Sequence, residues 1–465
     1  MLQQLLHSIS NTGILFPLVH FLCSSCCACL VNRIPPGNSI DYIKLYVSTD
    51  KVINVVNDRF VSVAIDSSEI RKHWNYGKLN FSSPQLQTLS ASLHPAYLRL
   101  GGTSADFLIY KDTILENHKV GKTKSSTNFT MKEPNQLENI TNITISGGQL
   151  ALDYCHLRRL LDSYVYYRHN FIMGPSVTNP SGSSTSDKQP SLTYLTDFYQ
   201  NGGGDAINAS TWHQYYMDSR NATEDDFLDP DLLDDLITQI QSIKGIVYKY
   251  KLGSKIWLGE TSSAYGSGAD GLSNAYVSGF MWLDKLGVAA FYGIDVVIRQ
   301  TLYGGNYALL DEDLEPLPDW WLSLLYKRLV GQRVLEVTTS ARGGDSNLRL
   351  LRSYAHCSLT SSEYAAGDVT VYILNLDKYS SKSISITEVN HKIKGIDQYL
   401  LTSHGESGMR SKFVDLNGVK LEMVDERTLP DLPPKQLDPK QDILIPPLSF
   451  GFYVMKGADA SACLK

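Results

Sequence analysis

Around Leu335 the apolar residues of this 465-residue chain change their period, and that change limits the folds open to it. Upstream, between Val61 and about Val330, short apolar runs (FVSVAID, AYLRLGG, FIMGPSV, STWHQYY, KIWLGET, IDVVIRQ) alternate with helix-compatible stretches. The clearest of these are Leu150 to Tyr167, Asp229 to Lys251 and Ser273 to Leu286. Alternating strands and helices produce a parallel sheet, because each parallel strand is reached through a crossover. The length suits a β/α barrel, which gathers the residues at its strand ends on one rim. Downstream the runs shorten and turn signals multiply: NLRLLRSY, VTVYILNL, SISITEV, DQYLLTS, KFVDLNGVKLEMV and ILIPPLSFGFYVM. That pattern predicts a β-sandwich over 331–465, with Asn417-Gly418 as a two-residue hairpin turn.

Composition excludes other classes. With 43% hydrophobic and 19% charged residues the chain buries enough apolar surface to fold, so neither disorder nor a coiled coil fits. A net charge of −6 argues against a nucleic-acid binder, which shows clustered Lys and Arg. Gly13 to Val31 (GILFPLVHFLCSSCCACLV) is free of charged residues. Residues 1–31 therefore read as a signal peptide, with a membrane anchor as the alternative, since Arg33 follows the run and no basic residue precedes it. The sequons at Asn80, Asn128, Asn139, Asn142, Asn208 and Asn221 agree with a secretory route, lysosomal, extracellular or membrane-associated. In that compartment a bridge between Cys357 and Cys463 would close a loop of roughly 100 residues, worth on the order of 4–5 kcal/mol. Two separate buried thiols are the alternative. Residues 111–148, polar and sequon-bearing, read as a solvated linker within the barrel region 57–330.

The sharpest chemical feature is Trp257-Leu-Gly-Glu260-Thr-Ser-Ser-Ala-Tyr265-Gly266, a carboxylate at the end of an apolar strand followed by small residues. Trp212-His213-Gln-Tyr-Tyr216 and Arg299-Gln300 end two further strands and would converge on the same rim. A carboxylate among Trp, Tyr, His and Arg suits carbohydrate chemistry, because aromatic faces stack on sugars and an oxocarbenium-like transition state needs a negative neighbour. Read without that context, Glu260 caps a helix or pairs with Arg299.

The segment from Lys255 to Val330 resembles the heparanase family, retaining endo-β-glucuronidases that degrade heparan sulfate. LRLGGTSADFLIY (Leu98 to Tyr110), LDYC (Leu152 to Cys155), TWHQYY (Thr211 to Tyr216), ATEDDFL (Ala222 to Leu228) and the C-terminal LNG, TLP and SFGFYV segments carry the same resemblance. It implies a (β/α)8-type barrel with a C-terminal β-sandwich that recruits the strand segment 39–56. It implies that Glu260 is the nucleophile attacking the anomeric carbon of a glucuronic acid. Asp66, Thr103, Tyr265, Gly266, Ser267, Gly305, Asn306 and Tyr307 match substrate-contacting positions, and His213, Arg299 and Gln300 are cleft candidates beside them. Heparan sulfate or a heparin-like polysaccharide is the implied partner, with no metal and no cofactor.

The chain departs from the resemblance at one place. A retaining glycosidase needs a second carboxylic acid about 5–5.5 Å from the nucleophile. In the family this is the Glu of an Asn-Glu-Pro motif ending the fourth strand, and that motif does not occur here. Leu152-Asp153-Tyr154-Cys155 runs directly into His156, leaving strand candidates starting only at Val61, Ala96, Phe171, Ser210, Lys255 and Ile294. The expected fold is thus a barrel missing two central strands. Glu133, Glu138 and Asp153 are nearby acids that nothing in the sequence sets opposite Glu260. A non-catalytic form that binds polysaccharide through Lys119, Lys122, Lys124, Arg158 and Arg159 is the alternative to an enzyme.

Overall fold

The computed structural model describes residues 39–69, 79–102, 108–110, 129–131, 144–180, 190–341, 348–387 and 393–464. The leader, the sequons at Asn128, Asn139 and Asn142, and Thr103, Lys119, Lys122, Lys124, Glu133 and Glu138 lie outside them. Among the described residues no helix is long and apolar enough to cross a membrane, and no His, Cys, Asp or Glu cluster could hold a metal ion.

The described chain opens with a long strand, β1 (Ser39–Val55), and then builds a parallel sheet. Its strands are β2 (Val61–Asp66), β3 (Leu98–Gly101), β4 (Met173–Val177), β5 (Ala209–Gln214), β6 (Lys255–Thr261) and β7 (Val296–Arg299). These six lie in the order β3-β2-β7-β6-β5-β4 with every neighbouring pair parallel. They are the six strands read from the sequence, each within a few residues of its expected start. The order ends at β3 and β4, which do not pair with each other among the described residues. Leu98 and Leu100 on β3 are 58% and 59% exposed, so the edge shows apolar side chains that a closed barrel covers.

Helices α1 (Pro84–Ser92), α2 (Gly147–Asp162), α3 (Pro190–Gln200), α4 (Gly203–Ala206), α5 (Pro230–Tyr250), α6 (Ser278–Phe291) and α7 (Pro318–Leu329) accompany the strands. Asp229 caps α5 by accepting from the Asp231 amide at 2.9 Å, and Pro230 occupies its first turn, where a missing N–H costs nothing. α6 starts later than the periodicity from Ser273 suggests. There the chain turns first: the Ser273 amide donates to Ala269 O at 2.7 Å, and Ser273 Oγ accepts from the Ala269 amide at 2.9 Å. α1, α3, α4 and α7 have no counterpart in the sequence reading. α7 is buried on nearly every side, including Trp320 and Trp321, so its sequence shows no amphipathic stripe.

The remaining strands are β8 (Val330–Ala341), β9 (Leu351–Ser358), β10 (Val369–Asn375), β11 (Ser380–Thr387), β12 (Gly395–Ser403), β13 (Val414–Leu416), β14 (Ile443–Ile445) and β15 (Ser449–Lys456). Together with β1 and the short strands Val419–Lys420 and Lys435–Leu437 they form the sandwich, hydrogen-bonded as one 11-stranded sheet. β1 lies between β8, its antiparallel partner, and β11, its parallel partner, through Leu45↔Thr339 and Leu45↔Ile386. The first strand of the chain therefore completes its last domain. Asn417 and Gly418 (φ 51° and 85°) make the hairpin between β13 and Val419–Lys420. Cys357 and Cys463 are disulfide-bonded, with Cα atoms 5.3 Å apart.

Every residue of β10 is buried. Val369, Val371 and Ile373 face the sandwich's own core, while Tyr372 and Leu374 join the core of the barrel. The two domains share this strand's opposite faces, which explains its continuous apolar run. At the same junction the Tyr354 ring lies against Gly287 and the Phe450 ring against Gly279, so any side chain at either helix position would collide with it. Asp284, wholly buried, is met there by Arg352 Nε at 2.8 Å and by the Tyr354 hydroxyl, which donates at 2.5 Å.

Candidate active site

Parallel strands end on one side of the sheet, and the register aligns their last residues: His213 pairs with Glu260, and Asp66 with Gly101. Glu260 stands at the end of β6 with a side chain 14% exposed. Arg99 Nη1 donates to its Oε2 at 2.6 Å, the Tyr215 hydroxyl donates to Oε1 at 2.9 Å, and His213 Nδ1 lies 3.7 Å from Oε1. Burial pushes the carboxyl pKa up. The His213 and Arg99 charges, with the hydrogen bonds from Tyr215 and Arg99, outweigh it and hold the pKa below the ordinary glutamate value. At neutral pH this is a fixed carboxylate, as a nucleophile or an electrostatic stabiliser must be. Glu260 neither caps a helix nor pairs with Arg299; its cation is Arg99.

Arg99 does not stand out in the sequence, and Tyr215 lies in the Trp212–Tyr216 stretch expected at the rim without being singled out there. Arg99 alternates with the exposed Leu98 and Leu100, so its side chain faces the sheet's interior while theirs face out. Its guanidinium lies across the α-carbon of Gly101, and the Asp66 carboxylate lies against Gly102 (φ 85°). Neither glycine has room for a Cβ. Asp66 also accepts from Gln300 Nε2 at 3.0 Å and from the Ser68 amide at 2.9 Å.

Two cleft candidates are differently employed. Arg299, 1% exposed, pairs with Asp319 at 2.8 Å, donates to Tyr307 O and stacks over Trp282. A guanidinium packed this way has no face left for a ligand, so Arg299 supports the floor of the site. Gln300, also 1% exposed, reaches the site through Asp66 and Tyr307. Below them Lys285 is buried among Gln214 Oε1, Thr261 Oγ1 and Ser262 O, each at 2.6 Å. It ties the residues following His213 and Glu260 together.

Two loops close the rim. The Asn306 amide donates to Ser267 O at 2.7 Å, and Asn306 Nδ2 donates to Gly268 O at 3.2 Å. Gly266, Ser267 and Gly305 all have positive φ, and Ser219 Oγ donates to Gly266 O at 3.0 Å. Tyr265 beside them is 49% exposed. Tyr307 lies between Asp66 and Glu260: burial, partly offset by hydrogen bonding to Gln300, pushes its phenol to about 12, and both carboxylates add to the rise. Its ring and that of Tyr215 are 6.3 Å apart, forming an aromatic wall beside Glu260.

None of the groups that set the Glu260 pKa is a carboxylic acid. Asp153 lies on the exposed outer surface of α2, accepting from Gln149, and is not an acid/base partner. Arg158 is not a free surface cation either. It donates to Ala206 O, Asn170 O and Asn208 Oδ1, joining α2 to the start of β5. Arg159 is exposed and donates to Cys155 O within its own helix.

A parallel β/α sheet with an ionised, aromatic-flanked glutamate at its C-terminal rim defines a glycoside hydrolase. Residues 135–287 match the family described as glycosyl hydrolase family 79, N-terminal domain. The chain is 35% identical over 534 residues to heparanase of Gallus gallus, covering 94% of this chain and 98% of that protein. It is 42% identical over 349 residues to heparanase of Bos taurus, covering 73% of this chain and 61% of that one. To inactive heparanase-2 of Homo sapiens it is 38% identical over 338 residues, covering 71% and 55%. Among solved structures, the GH51 arabinofuranosidase from Xanthomonas axonopodis pv. citri superposes with a TM-score of 0.57 at 10% identity, covering 90% of this chain and all of that one, a likeness of fold alone. The chain belongs to the heparanase family.

Proposed function

We propose that the cleft takes heparan sulfate and that Glu260 is the nucleophile of a retaining reaction at its internal β-glucuronidic bonds. The observation that carries this reading is the Glu260 carboxylate, kept ionised at the rim by Arg99 and Tyr215. Asp66, His213, Tyr265 and Tyr307 surround it and supply the polar and aromatic surface a sugar chain needs. A second reading, a heparan-sulfate-binding form with impaired catalysis, is favoured by the lack of pairing between β3 and β4 among the described residues, where the resemblance puts the acid/base carboxylate. Sizing heparan sulfate after incubation with the chain and with Glu260→Gln separates the two. Shortening that the variant loses supports the first; retention on a heparan sulfate matrix without shortening supports the second; neither effect overturns both.

A secretory route belongs to the same proposal. Asn80, Asn208 and Asn221 are all exposed. Enzymatic removal of N-glycans from chain expressed in animal cells is expected to increase its gel mobility, and an unchanged band counts against this route.

A further inference from the structure

The site divides the two halves of a retaining reaction. The half that attacks is present: a carboxylate of low pKa, positioned by two donors. The half that delivers a proton to the departing oxygen is not among the described groups around it. Those are a guanidinium, an imidazole, the phenols of Tyr215 and Tyr307, and Asp66, already engaged by Gln300 and the Ser68 amide. The Tyr215 phenol does not serve either, since burial and the neighbouring Glu260 charge raise its pKa far above neutrality. General acid catalysis is worth about 10²–10⁴-fold, and only for leaving groups that need a proton.

We infer that this chain is a glycosyl-transfer catalyst for β-glucuronosyl donors whose leaving group departs unprotonated, and that it stops at a covalent glucuronosyl-Glu260 ester until a strong external nucleophile arrives. The inference rests on Glu260 as the nucleophile and takes up the second reading above, a form impaired in hydrolysis. With a β-glucuronosyl fluoride, a Glu260 oxygen bonds to the anomeric carbon as the carbon–fluorine bond breaks, and fluoride leaves as the anion. No proton moves. Hydrolysis of the ester needs a base to take a proton from water, and the group that would take it is the same absent acid/base. An anion such as azide needs no base. It bonds to the anomeric carbon, the ester bond breaks, the Glu260 carboxylate is regenerated, and β-glucuronosyl azide is released with net retention.

The test uses the full chain with β-glucuronosyl fluoride, followed by mass spectrometry of intact protein and of the peptide holding Glu260. One glucuronosyl residue per chain is expected on Glu260, stable in buffer and lost within minutes of adding azide, with β-glucuronosyl azide as product. Glu260→Gln, shown to be folded by an unchanged near-ultraviolet circular dichroism spectrum, should take up none. Heparan sulfate, whose leaving group is a sugar hydroxyl, should react about 10²–10⁴-fold more slowly. Rapid shortening of heparan sulfate without azide overturns the inference, because another group then supplies the proton. Absence of the adduct also overturns it. If the chain still binds a heparan sulfate column in that case, the polysaccharide reading survives alone; if binding is lost as well, both fall.

Discussion

Arg99 and Tyr215, together with the His213 charge, hold Glu260 ionised, and the bonds from the first two each make a separate prediction. Losing the Arg99 charge removes a favourable interaction with the ionised form, so the Glu260 pKa should rise in Arg99→Met. The acid limb of fluoride labelling then moves to higher pH. Tyr215→Phe, which loses one neutral donor, should move it less. A limb unmoved in both variants would show that neither group tunes the carboxylate. Glu260 was legible in the sequence because a carboxylate ending the apolar run KIWLG is unusual by itself. Arg99 was not. Between two leucines it reads as the polar face of a half-buried strand, whereas on an edge strand facing the barrel interior the polar residue points inward. Its contact with Glu260 joins strands that are not neighbours in the sheet, and no local pattern encodes such a pair.

β9 carries two buried polar groups whose behaviour follows from their partners. His356, wholly buried, donates from Nδ1 to Gly331 O at 2.8 Å, and burial, opposed by that bond, pushes its pKa down to about 4. The unfolded chain binds this proton below the ordinary histidine value of about 6.5, while the folded chain resists it until about 4. Stability should therefore fall as pH drops through that window, by up to about 3 kcal/mol from this residue. His356→Gln should flatten the dependence in urea titrations run from pH 7 to 4. Arg352 on the same strand neutralises Asp284. Arg352→Met strands a buried carboxylate, and a loss of about 3–5 kcal/mol in the same titrations is expected; a loss below about 1 kcal/mol would mean that the Tyr354 hydroxyl suffices. Elements that alternate polar and apolar residues were readable from their period. α7, buried on nearly every side although it carries Asp319 and Ser323, offers no period to read, and β10, buried on both faces, was readable only as a short apolar run.

At the scale of the whole molecule, the sheet has one continuous middle and two edges that find no partner among the described residues. β6 and β7 each pair on both sides, whereas β3 and β4 each pair on one. Amide hydrogen exchange should be fastest at Leu98–Gly101 and Met173–Val177 and slowest at Val296–Arg299. Equal protection across the six strands would mean that another part of the chain covers the edges. The six parallel strands were foreseeable from their six apolar runs, each bounded by polar or glycine residues. The shared core between the domains was not foreseeable, because it depends on which face of each sandwich strand meets which helix.

The placement of β1 also has a consequence in time. A ribosome makes this strand before any of the barrel, yet both of its partners, β8 and β11, are made after the barrel is finished. At about 5–20 residues per second the interval is on the order of tens of seconds. Throughout it Ile43, Leu45 and Val47, fully buried in the finished protein, have no native surface to cover them. The barrel can begin to form during translation, but the sandwich must wait for its own beginning to be brought back to it, so its assembly is confined to the last stage of synthesis or to the time after release.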